Sequence, residues 1–102
     1  MMDENYKLTA EDSNGQVNIK VKGVVEIADS EDMRKELIQK MKDADHVTIE
    51  LKPDEDVNLA VIQILLSAIN IPEKNISVYI AGDDDQIALL KNAGLGNLFK
   101  LT

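Results

Sequence analysis

Residues 17 to 22 and residues 29 to 44 follow different apolar periods, and that switch limits the fold more than any single motif does. In "VNIKVK", Val17, Ile19 and Val21 alternate with Asn18, Lys20 and Lys22, the period-two pattern of a strand with one buried face. It is the second of two β-type runs in "YKLTAEDSNGQVNIKVKGVVEIA", and the "DSNG" between them supplies a hairpin turn, so the two form an antiparallel pair. In "DSEDMRKELIQKMKDA" the spacing changes. Met33, Leu37, Met41 and Ala44 fall on one helical face with Ile38 beside them, while Arg34, Lys35, Glu36, Lys40 and Lys42 point elsewhere. Asp29 or Ser30 is placed to cap this helix, and Glu31 and Asp32 suit the positive end of its dipole.

The same alternation of periods repeats. "HVTIEL" carries apolar residues at Val47, Ile49 and Leu51 and reads as a strand, followed by the acidic loop "KPDEDV". "NLAVIQILLSAIN" is apolar around most of its circumference, leaving Gln63, Ser67 and Asn70 as a narrow polar stripe on a mostly buried helix. "NISVYIAG" gives another strand. "DDDQIALLKNAG" gives a third helix with Ile87, Leu90 and Ala93 inward and Gly94 as its stop, and "LGNLFKLT" a short closing segment. Strand–helix–strand units need parallel crossovers, so the fold class is α/β: a mixed sheet of about four to five strands, with an opening antiparallel hairpin, central parallel strands and helices packed on at least one face. At 102 residues, with no internal repeat, the chain makes one domain spanning residues 1–102.

Composition narrows function by inventory. There are no cysteines and one histidine, which excludes disulfides, thiolate nucleophiles, cysteine-ligated zinc and any Ser-His relay that does not use His46. With 11 Lys+Arg against 19 Asp+Glu the net charge is −8, which repels phosphate backbones and anionic lipid, so no nucleic-acid partner is expected. No apolar run approaches the ~20 residues of a membrane helix. The expectation is a cytoplasmic protein with no cofactor and no membrane insertion. A homodimer stays open.

The stretch Asp56 to Asn70 poses the functional question, because no residue of obvious chemistry stands where the second helix begins. Asn58 is most simply its N-cap. Leu59 and Leu66 sit at the two edges of the polar stripe near Gln63, away from Val61, Leu65 and Ala68. Either a neighbouring element covers them, or Leu59, Gln63 and Leu66 form a ridge for a protein partner. Asp83, Asp84 and Asp85 are of the type that binds Mg²⁺ or Ca²⁺, though helix capping by one of them is the simpler reading and no metal site is assigned. His46 has no nucleophile near it in sequence and reads as an ordinary strand-edge residue.

The order of elements and their wording resemble the STAS domain, named for sulphate transporters and anti-sigma-factor antagonists, from about Val17 to Thr102. "VKGVVEIADSEDMRKEL" is similar to the family's Gly-led turn into helix one, "IELKPDEDV" loosely echoes its "D-L-S-x-V" strand end, and "VYIAG" and "NAGLGNLF" match its later strand and helix stop. The resemblance implies a non-catalytic regulatory domain that binds a protein through the start of helix two. Family members open that helix with "D-S-S-G-L-x-x-L-L" and are phosphorylated there by a kinase-like anti-sigma factor. Aligning on Leu65 and Leu66 puts Asn58 on the Asp and Leu59 on the phosphoacceptor serine. Leu59 cannot accept phosphate, and no Ser or Thr lies between Asp54 and Leu66. The partner-binding residues so implied are Asp54, Glu55, Asp56, Asn58, Leu59, Gln63 and Leu66, and the partner a kinase-like anti-sigma factor or another regulator. A second implied role is an accessory subunit that stabilises the ATPase of a bacterial transport complex. A receiver domain fits less well, since the opening hairpin conflicts with an all-parallel sheet.

Overall fold

A computed structural model describes residues 6–53 and 58–101. Its sheet has five strands in the order β1-β2-β3-β4-β5: β1 Tyr6–Ser13, β2 Gln16–Gly23, β3 His46–Pro53, β4 Asn75–Ile80 and β5 Lys100–Leu101. β1 and β2 run antiparallel, and β2 to β5 are parallel, joined through α1 (Ser30–Met41), α2 (Leu59–Ile69) and α3 (Asp84–Asn92). This is the mixed α/β sheet expected. The hairpin closes through Asn14 and Gly15, both with positive φ (51° and 79°), the backbone that a type I′ turn demands and that Asn-Gly supplies most readily.

The period-two pattern decides which face of the sheet the helices cover. Val17, Ile19, Val21, Val47, Ile49, Leu51, Val78 and Ile80 all point into one buried layer. There they meet Met33, Leu37 and Met41 of α1, Val61, Ile62, Leu65 and Ala68 of α2, and Leu90 of α3 in a single cluster. Each large aliphatic side chain sunk this way contributes roughly 1.5–3 kcal/mol. The intervening residues, among them Lys20, Lys22, Lys52 and Asn75, face solvent on the open side. Among the described residues no polar or charged side chain is buried.

Helix ends follow the sequence in part. Asn58 caps α2 by accepting from the Val61 amide at 3.0 Å, and Asp83 caps α3 by accepting from Gln86 at 2.8 Å. Gly94 ends α3 in the left-handed conformation, φ 83°. The capping expectation for α1 is corrected: Asp29 occupies the N-cap position, but neither its side chain nor that of Ser30 bonds a first-turn amide of the helix. A 3₁₀ turn, Ile27–Asp29, precedes the helix, so the Asp29 carboxylate accepts instead from the Glu26 amide and the Ser30 hydroxyl donates back to the Ile27 carbonyl at 2.6 Å. Ile38 is half exposed rather than packed with Met33 and Leu37, and Ala93 is exposed because α3 has already ended at Asn92. Phe99 fills the core instead, dropped there by the 3₁₀ turn Leu95–Asn97 and the short β5.

Candidate functional site

Two of the residues singled out by sequence, Asn58 and Leu59, stand at the start of α2. Asn58 makes two bonds there. Its oxygen caps α2, and its amide nitrogen donates to the Val25 carbonyl at 2.6 Å, tying the start of α2 to the segment that leads into α1. One polar side chain thus fixes two chain segments against each other.

Leu59 follows the cap and is 69% exposed. A helix turns by about 100° per residue, so Leu59, Gln63 and Ser67 form one outward line, and all three are exposed. Leu66 lies to one side, half-buried and packed against the core. The docking ridge drawn from sequence is therefore narrower than expected: Leu59 and Gln63 are available on it, and Leu66 is largely committed to folding. Asp54, Glu55 and Asp56 lie outside the described residues.

Sequence reasoning missed the contribution of α1. Ile27, in the 3₁₀ turn bonded to Asp29 and Ser30, is 73% exposed, more than any other large hydrophobic described. Between α1 and α2 runs an open groove of about 450 Å³ whose walls include Leu37, Ile38, Ala60, Gln63, Ile64 and Ser67. Its lining is mostly apolar, with Arg34 and Glu31 at one end joined by two hydrogen bonds. That pairing lowers the pKa of the Glu31 carboxyl and raises that of the Arg34 guanidinium, so both stay charged. Of the exposed large hydrophobics only Ile38 stands on the groove wall, where Ile64 and Ile71 continue the apolar lining; Ile27 and Leu59 are not among the lining residues. Ile27 breaks the helical period because it precedes α1, which is why a wheel could not find it.

The other candidates do not join this site. Asp83 is spent on the α3 cap, and among the described residues no group of three His, Asp or Glu side chains is placed to hold a metal ion. His46 begins β3 on the open face, 3.4 Å from the Asn75 amide. No protein-family model matches the chain, and no curated protein matches it. Among the described residues no helix is long and apolar enough to cross a membrane.

Proposed function

We propose that this chain is a non-catalytic, protein-binding regulatory domain of the STAS type, related to anti-sigma-factor antagonists but without their phosphoacceptor serine. The observation that carries the reading is Leu59, a large apolar side chain 69% exposed in the first turn of α2, where the resemblance puts the phosphorylated residue. A side chain there that is not needed for the core is free to meet a partner, and leucine cannot be switched off by phosphate. On this reading the domain works in the cytoplasm and docks a kinase-like anti-sigma factor or similar regulator through Asn58, Leu59, Gln63 and the exposed Ile27. Asp54, Glu55 and Asp56 would flank the contact and read a basic patch on the partner.

The apolar lining of the α1–α2 groove favours a second version, an accessory subunit that stabilises an ATPase in a transport complex. Such a complex would be stoichiometric and salt-resistant, whereas regulator binding steered by a −8 charge weakens as salt is added. Affinity capture from the native extract with parent protein and Leu59→Arg tests both. A kinase-like regulator or an ATPase captured by the parent and lost with the variant supports docking at α2, and its identity and salt dependence choose the version. Equal capture by both forms, or none by either, refutes the reading.

A further inference from the structure

β1 is an edge strand, and no described residue pairs with its outer side. Which groups that side presents follows from the turn. In a β-turn spanning Ser13–Gln16 the first carbonyl accepts from the fourth amide, so Ser13 and Gln16 form a hydrogen-bonded pair. Antiparallel pairs alternate, so Glu11 with Asn18, Thr9 with Lys20 and Lys7 with Lys22 are bonded likewise. The amides and carbonyls of Tyr6, Leu8, Ala10 and Asp12 therefore point outward, unpaired along an eight-residue strand.

We propose that a second copy of this chain pairs with that edge, β1 against β1 antiparallel, with Thr9 facing Thr9 across a two-fold axis perpendicular to the sheet. Only a register that sets odd residues opposite odd ones keeps both helical layers on the same side, because even residues of β1 face the helices and odd ones the open face. Centring on Thr9 meets this condition and places the outward-pointing groups of Leu8 and Ala10 opposite each other, and those of Tyr6 and Asp12. It also places Lys7 of each chain opposite Glu11 of the other, twice, in the non-hydrogen-bonded positions where side chains come closest. Within its own chain Lys7 faces Lys22, a like charge, and neither Lys7 nor Glu11 forms an ion pair with a described residue. The second copy supplies each with its opposite. On the helical face the half-buried Leu8 and Ala10, already packed against the core, meet their symmetry mates and extend the apolar layer across the junction.

This pairing is independent of the α2 docking reading, since it uses the outer edge of β1 and none of Asn58, Leu59, Gln63 or Ile27. The net charge of −8 opposes association, but at about 0.15 M salt the Debye length of about 8 Å screens distant charges and leaves directly opposed pairs effective. The test is sedimentation equilibrium at that salt concentration, on parent, Lys7→Glu, Glu11→Lys and an equimolar mixture of the two variants. The parent is expected to reach a dimer within the micromolar to millimolar range. Each variant alone opposes like charges twice and should dimerise at least about tenfold more weakly. The mixture should form a heterodimer, because both of its pairs are again of opposite sign. Both side chains are exposed, and cooperative thermal melts will show that the variants are folded. A parent that stays monomeric to millimolar concentration overturns the proposal, as do variants that dimerise like the parent or a mixture that does not pair.

Discussion

The side-chain amide of Asn58 reaches back 33 residues to donate to the Val25 carbonyl at 2.6 Å while its oxygen caps α2. Removing it therefore breaks more than a cap. Asn58→Ala should lower unfolding free energy by about 1–2 kcal/mol, combining the cap loss with an unmet, partly buried carbonyl. Asn58→Asp keeps the acceptor for Val61 but turns a donor toward Val25 into a second acceptor. Urea unfolding should rank parent above Asp, and Asp above Ala. Equal stability of Asp and parent would mean that the Val25 bond contributes nothing.

Leu59 and Leu65 share a helix and a residue type, yet one is 69% exposed and the other fully buried. Leu65→Ala should cost about 2–5 kcal/mol through lost contacts and a cavity. Leu59→Ser should stay within about 0.5 kcal/mol of parent. A large loss for Leu59→Ser in chemical unfolding would show that it serves the core.

Most of the fold was legible because it is written in periods. Alternation at Val17, Ile19 and Val21, and the three-to-four spacing of Met33, Leu37 and Met41, report buried faces directly. Asn58, Asp83 and Gly94 were legible because cap chemistry is local. What failed depended on neighbours. Asp29 looks like a cap until the preceding 3₁₀ turn takes its carboxylate. Ile38 lies beside Leu37 on a wheel, but whether α2 covers it is a tertiary matter. Phe99 belongs to no period, and its burial follows from how the chain returns to the sheet edge. The cap at the start of α2 was legible from sequence, while the α1 wall of the groove, with Ile38, and the exposed Ile27 ahead of α1 were not.

Tyr6 donates to the Glu36 carboxylate at 3.1 Å, and partial burial, that bond and the nearby carboxylates push its pKa up to about 12. The folded state holds the phenolic proton more tightly than the unfolded chain, whose tyrosine titrates near 10. The stabilisation is complete below about pH 10 and is lost as pH rises towards about 12, since only the unfolded state has by then released its proton. Denaturant unfolding across that window should show stability falling with pH, more steeply in the parent than in Tyr6→Phe. Identical slopes would place the loss elsewhere.

On the open face Lys22 of β2 stands between Lys7 of β1 and Lys52 of β3, directly opposite both. None of the three makes an ion pair with a described residue. Directly opposed like charges across strands destabilise a sheet, and opposite charges stabilise it by roughly 0.2–1 kcal/mol per pair. Lys22→Glu converts both repulsions into attractions without touching the buried face, so it should raise stability by about 1 kcal/mol at low ionic strength. Because the pairs are exposed, the gain should shrink as salt shortens the Debye length towards about 3 Å at 1 M. Thermal unfolding of parent and variant at both salt concentrations separates this from a change in strand propensity, which salt would leave in place. If the variant gains nothing at low salt, the row is already neutralised by solvent and places no strain on the sheet.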